Sequence, residues 1–179
     1  MRIAVGADHA GFPLKGPAVA ELQRLGHTVL DLGTHSDEPV DYPDFAQAVG
    51  EAIMRGEADR GLLICGSGVG ASVAANKIPG VRAAVCHDTF SAHQGVEDDD
   101  MNVLCLGTRV IGPQLALEVI RAWDRAVFSN AERHVRRLGK VRAIEERYQR
   151  SREVKACLIR LHSYASKDRA CGLTISAAA

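Results

Sequence analysis

The chain has 179 residues and 22 basic against 22 acidic side chains, so it can bury one full core and has no net charge that would select nucleic acid or an acidic polymer as partner. No apolar run approaches the roughly 18 residues of a membrane span, and the start Met-Arg-Ile-Ala-Val-Gly-Ala-Asp meets an acidic residue too early for a signal peptide. A cytoplasmic protein with no membrane partner is expected, and its five irregularly spaced cysteines read as free thiols rather than a metal pair or a disulfide framework.

In chain order, strand and helix patterns alternate. Residues 3–7 form a short apolar strand. Leu14, Val19, Leu22 and Leu25 mark a helix over 14–25 that Gly26 closes, and 28–32 is a second strand. After a polar stretch, Tyr42-Pro43-Asp44 starts a second helix with Phe45, Val49 and Ile53 on one face. Residues 60–65 are a buried strand that runs into Cys65-Gly66-Ser67-Gly68-Val69-Gly70, and an alanine-rich helix follows over 72–77. Residues 81–86 and 103–106 read as strands four and five, with an acidic loop, 96–101, before the fifth. Pro113 opens a helix carrying Leu115, Leu117, Val119, Ile120 and Trp123, and a last helix spans about 131–150. Beyond it, 151–161 could extend that helix, whereas 163–179 has little periodicity and is expected to be a mobile tail. The division expected is therefore a domain over 1–149 and an extension over 150–179.

Such alternation predicts an α/β fold: a parallel sheet with helices on both faces, its ligand at the carboxyl ends of the strands. Asp8 and His9, Cys65, His87 and Asp88, and Gly107 and Arg109 should then share one rim. The Gly66–Gly70 turn offers backbone N–H groups to an anion, helped by the helix that follows, and the same positive end favours a thiolate at Cys65. Thiol and anion site together suit removal of a proton beside a carbonyl.

Gly6-Ala7-Asp8-His9-Ala10-Gly11, Asp41-Tyr42-Pro43, Cys65 to Gly70, Ala75-Asn76-Lys77, Asn102-Val103-Leu104 and Arg133-His134-x-x-Arg137 occur in this order. Together they resemble ribose-5-phosphate isomerase type B and its relatives among the sugar-phosphate isomerases, such as the galactose-6-phosphate isomerase subunits. The resemblance covers about residues 1–149. It implies a Rossmann-like, doubly wound five-stranded parallel sheet and aldose–ketose interconversion of a phosphorylated sugar without metal or organic cofactor. It also implies a homodimer or homotetramer with active sites shared between subunits. Cys65 is implied as the base that moves a proton between neighbouring sugar carbons through an enediolate. The amides of Gly66, Gly68, Val69 and Gly70 are implied to hold the enediolate oxygen, and Ser67 to move the hydroxyl proton. Asp8 would contact sugar hydroxyls, His9 would lie near the phosphate, Tyr42 would line the sugar site, and Arg109 would reach a phosphate across a subunit interface. Arg133 and Arg137 stand one helical turn apart with His134 beside them and can clamp a phosphate dianion.

Plainer readings stand beside these. Cys65 could be a core thiol, the glycines a tight turn, Ser67 a turn residue, Asp8 a helix cap, and Arg133 and Arg137 part of a solvated basic helix with Arg136, Lys140 and Arg142. A cysteine phosphatase is excluded because Ala71 stands where Cys-x5-Arg needs arginine. A dinucleotide-binding module remains the alternative from another class, although Gly66, Gly68 and Gly70 are spaced Gly-x-Gly-x-Gly rather than Gly-x-Gly-x-x-Gly. A purely structural role leaves the thiol, loop and arginines unexplained. Aligned through Asn102-Val103-Leu104, the chain departs from the resemblance at Asp98, where many relatives have a histidine thought to open the sugar ring, and at Asp99, where they have an asparagine. Asp98 is read as the ring-opening acid–base group and Asp99 as a hydroxyl acceptor. A solvated acidic loop is the plain alternative.

Overall fold

Residues 1–150 are described by the structure, a computed structural model. Strands β1 (Arg2–Ala7), β2 (Thr28–Asp31), β3 (Arg60–Cys65), β4 (Ala83–Val85) and β5 (Val103–Gly107) form one sheet of order β2-β1-β3-β5-β4, with every pairing parallel. Helices α1 (Phe12–Arg24), α2 (Tyr42–Met54), α3 (Val69–Ala75), α4 (Thr89–Asp99) and α5 (Pro113–Arg125) make the crossovers. Residues 132–138 are also helical and complete a compact unit, Met1–Leu138. A second unit begins at Gly139, and its described residues, 139–150, are helical. The expectations for 151–179 lie outside the described residues. Among the described residues no helix is long and apolar enough to cross a membrane.

Alternation along each strand builds a core on either side of the sheet. Ile3, Val5, Ala7, Leu62, Ile64, Leu104 and Leu106 pack with α1, α4 and α5 around the fully buried Trp123. Ala4, Leu63, Cys65, Val103 and Cys105 face the other way, against α2 and α3. Cys65 therefore belongs to the face covered by the short helix that its own loop begins.

The element missing from the sequence reading is α4. The segment 89–99 is helical, with the Asp88 carboxylate accepting from the Ser91 N–H at 2.7 Å and Asp100 ending it at φ 52°. Its buried residues are only Ala92 and Val96, with a glycine between them, so it shows little apolar periodicity. The expected loop 96–101 is thus mainly the last turn of a helix. β4 is shorter than expected, because Val81 closes a turn onto Ile78 and the Asn102 carboxamide oxygen takes the Arg82 N–H at 2.8 Å. Asn76 completes the edge of β4 by bonding both the N–H (3.0 Å) and the carbonyl (2.8 Å) of Ala83, as a neighbouring strand would.

Because α4 runs back from the carboxyl end of β4 to the amino end of β5, its acidic end lies at the edge of the sheet opposite Cys65. At that amino edge Arg82 pairs with Asp100 at 2.6 Å, and Arg60, at the start of β3, donates to the carbonyls of Trp123 and Ala126 at 3.0 and 2.8 Å. Ser129 N–H donates to the Glu97 carbonyl at 3.0 Å, which brings the chain before the final helix to the same edge. The strand from Arg60 to Cys65 separates the two edges by about 16 Å, at roughly 3.3 Å per residue.

Candidate active site

At the carboxyl edge the first half of the site is assembled from three neighbouring strands. After β1, the Asp8 carboxylate accepts the Gly11 N–H at 2.8 Å and is 8% exposed. Gly11 has no room for a side chain, since a Cβ there would run into the Ile64 carbonyl, so the β1 turn lies directly on β3 and puts Asp8 beside Cys65. His9 meets the backbone of Val40 through Nδ1 at 3.2 Å, which leaves Nε2 for another partner. Thr108 Oγ1 donates to the Ala10 carbonyl at 2.9 Å and lies 3.3 Å from that of Cys65, tying the β1, β3 and β5 ends together.

The cysteine turn has a defined geometry. The Gly68 N–H donates to Cys65 Sγ at 3.0 Å, a bond that an anionic sulfur accepts more strongly than a thiol does. Gly68 needs its glycine because φ is +81°. Gly70 needs one for space, since a Cβ there would sit 2.8 Å from the Tyr42 ring. The Val69 N–H reaches Ser67 Oγ at 3.3 Å. α3 starts at Val69, earlier than expected, and has only seven residues. Its first-turn amides, rather than a long helix dipole, are what the turn offers an anion. Of the other described cysteines, burial pushes Cys86 up to about 11 and raises Cys105 as well, so both stay protonated thiols.

Arg109 lies over Gly66 of its own chain: a Cβ on that glycine would meet the guanidinium at 3.3 Å, and the Arg109 N–H donates to the Gly66 carbonyl at 3.0 Å. It belongs with Cys65. His87, also on this rim, accepts the Gly107 N–H through Nε2 at 3.0 Å and caps the end of β5.

The remaining residues are brought together elsewhere. Asp98 and Asp99 end α4 at the amino edge, and Arg133, His134 and Arg137 lie on the final helix beside them. Arg133 and Arg137 are exposed. His134 does not share their face: it is turned inward and is 2% exposed, with Nδ1 at 2.6 Å from Ser129 Oγ and Nε2 at 3.3 Å from Asp98 Oδ1. Sequence spacing alone does not connect His134 with Asp98, 36 residues earlier. The inward pair His134 and Leu138, four apart and both buried, is the signal that would have turned His134 toward the core. One chain therefore carries two clusters of candidate site residues at opposite edges of its sheet.

The fold and the strand-end cluster define the class: an α/β enzyme with a thiol, a carboxylate and an amide-lined turn in the crevice where β1 and β3 diverge in chain order. Comparison with known proteins makes it specific. The sequence profile of a family described as Ribose/Galactose Isomerase matches residues 3–141. The chain is 47% identical over 146 residues to ribose-5-phosphate isomerase B of Escherichia coli strain K12, covering 82% of this chain and 97% of that protein. It is 45% identical over 130 residues to D-erythrulose-4-phosphate isomerase of Pectobacterium atrosepticum, covering 72% and 85%. A solved structure of ribose-5-phosphate isomerase B from Clostridium thermocellum matches with a TM-score of 0.80 at 48% identity, over 83% of this chain and 99% of that one. The chain belongs to the ribose/galactose isomerase family, and it is a sugar-phosphate isomerase.

Proposed function

We propose that the chain interconverts ribose 5-phosphate and ribulose 5-phosphate in the cytoplasm, as a homodimer or larger assembly, with Cys65 as the base. The observation that carries this reading is the Gly68 N–H donating to Cys65 Sγ at 3.0 Å at the head of an amide-lined turn. In the open-chain aldose, the Cys65 thiolate takes the proton from C2. The electron pair left behind forms the C1–C2 double bond, and the C1 oxygen takes the negative charge. The amides of the Gly66–Gly70 turn stabilise that oxygen, an effect worth about 3 kcal/mol where water is excluded. Ser67 passes the C2 hydroxyl proton to the C1 oxygen, Cys65 returns its proton to C1, and C2 becomes the ketone. Atoms and electrons balance without a redox partner. Asp8 holds sugar hydroxyls through the carboxylate oxygen that Gly11 does not occupy, Tyr42 lines the sugar site, and His9 and Arg109 serve the phosphate end.

Asp98, Asp99, Arg133 and Arg137 complete the site from a second chain. Their place at the far edge supports this part of the reading, because about 16 Å of strand keeps them from the Cys65 of their own chain. Asp98 then opens the sugar ring, Asp99 accepts a hydroxyl, and the two arginines clamp the phosphate with His134 behind them. The dinucleotide alternative loses ground on geometry, since Gly68 is needed for a left-handed turn and Gly70 for Tyr42 rather than for a pyrophosphate. A panel of aldose phosphates, including ribose 5-phosphate and D-erythrose 4-phosphate, assayed for ketose formation without added cofactor, tests the proposal. Turnover of ribose 5-phosphate in preference to the others is expected. Faster turnover of the tetrose phosphate, or a requirement for a nucleotide, would overturn it.

A further inference from the structure

His87 stands on the same rim as Cys65 but takes no part in the proton transfers. Its place follows from how the sheet ends. The Cys86 N–H donates to the Cys105 carbonyl at 3.3 Å, just past the last pair of the β4–β5 ladder, Val85 with Cys105. A regular parallel ladder would carry its next bond from the Gly107 N–H to a main-chain carbonyl of β4. Here the chain leaves the sheet, with Asp88 already capping α4, and the His87 ring takes that bond instead through Nε2 at 3.0 Å. A ring nitrogen that accepts an N–H carries no proton, so the ring is neutral and its proton sits on Nδ1. Gly107 is buried, so its N–H relies on the ring rather than on bulk water.

Gly107 is also the floor of the cysteine turn. A Cβ on Gly107 would sit 2.5 Å from the Ser67 carbonyl carbon and 2.8 Å from its Cα, so the Ser67 backbone rests directly on this glycine. Gly68 lies as close to the same strand end, since a Cβ there would be 3.2 Å from the Leu106 carbonyl carbon. The next two residues of the chain tie on as well: the Thr108 N–H donates to the Cys65 carbonyl and the Arg109 N–H to the Gly66 carbonyl, both at 3.0 Å. We infer that His87 is a positioning residue for the cysteine turn. By accepting the Gly107 N–H it fixes the strand end on which Ser67 and Gly68 rest, and so sets where the Ser67 hydroxyl and the turn amides meet the enediolate. Packing this close passes a shift on rather than absorbing it. The inference deepens the proposed function and rests on its assignment of Ser67 and the amides to the reacting oxygens.

Two substitutions test it in the full chain. His87→Gln puts a carboxamide oxygen about where Nε2 stands and can accept the same N–H, whereas His87→Leu fills the space without an acceptor. With ribose 5-phosphate, His87→Leu should lower kcat about 30-fold and His87→Gln no more than about threefold, with KM within about twofold in both. Equal losses in the two variants, or a loss carried by KM, overturn the inference. Backbone amide shifts give a second arm. His87→Leu should move the Ser67 and Gly68 signals and His87→Gln should leave them in place, with Gly11 at the end of β1 as the reference. His87→Ala replaces the leucine variant if that does not fold. A change confined to Gly107 would make His87 a local cap and overturn the inference. So would a parent ring protonated on Nε2, read from histidine ¹⁵N shifts and assigned by the signal lost in His87→Gln. The amide and ring measurements need no substrate, so they stand apart from any failure of the isomerase reading.

Discussion

At the scale of single residues, the proposed chemistry divides between a sulfur and a carboxyl. Cys65 is 5% exposed, accepts one amide bond, and has no other described thiol able to replace it, since Cys86 and Cys105 are held protonated by burial. Cys65→Ala should keep the fold and sugar-phosphate binding while lowering kcat by about 10² to 10⁴, the usual contribution of a proton-transfer group. Circular dichroism and turnover on one preparation would check both halves, and a variant working at the parent rate would remove the thiol from the mechanism. Asp98 is held by Gln94 and faces His134, so Asp98→Asn keeps its shape and neighbours but cannot exchange a proton. Its kcat should fall much further on the cyclic sugar phosphate than on an open-chain analogue. Equal effects on both would leave ring opening to another group.

At the scale of elements, α1 and α5 are pinned to each other through one carboxylate. Glu21 accepts from Arg24 at 2.6 and 2.9 Å and from Arg121 at 2.6 Å, and these bonds hold its carboxyl down at about 2 against an ordinary 4.5. A carboxyl whose folded value is depressed stabilises the fold fully above its unfolded value and loses that contribution as pH falls through the folded one. Glu21→Gln should therefore lower Tm at pH 7, with the gap to the parent closing between about pH 4.5 and 2. A gap that persists at pH 2 would mean that shape rather than charge is at work. On the final helix, Arg133→Ala or Arg137→Ala should raise KM for the phosphorylated sugar about tenfold and leave the poor turnover of the unphosphorylated sugar unchanged. Equal losses on both sugars would make these arginines structural.

Much of this element scale was legible in the chain. The strands β1, β3 and β5 announce themselves as apolar runs, and Cys65 to Gly70 marks its own turn by glycine spacing. What was hidden depends on partners distant in sequence. α4 buries too little to show a helical period, so its acidic end read as a loop beside the site instead of a helix end at the far edge. β4 is cut short by the turn of Val81 onto Ile78 and by the Asn102 side chain, which sequence does not connect to it. His134 turns inward because Ser129 and Asp98 wait for it there, and Arg109 lies beside Gly66 because that glycine leaves space for the guanidinium.

At the scale of the whole molecule, the account turns on two half-sites at opposite edges of one sheet. A two-fold axis that sets the carboxyl edge of one chain against the amino edge of another completes both sites at once, which is the economy of an isologous interface. The most direct test pairs two crippled chains. Cys65→Ala and the double variant Arg133→Ala/Arg137→Ala each spoil every site in their own homodimer, but in a mixed dimer one site receives Cys65 from one chain and both arginines from the other, and is intact. Co-expressed in equal amounts and assayed with ribose 5-phosphate well below KM, the mixture should recover about a quarter of the parent activity, because half of the dimers are mixed and each has one good site. Activity no higher than the mean of the two separate variants would show that each site is built within a single chain, and would contradict the account.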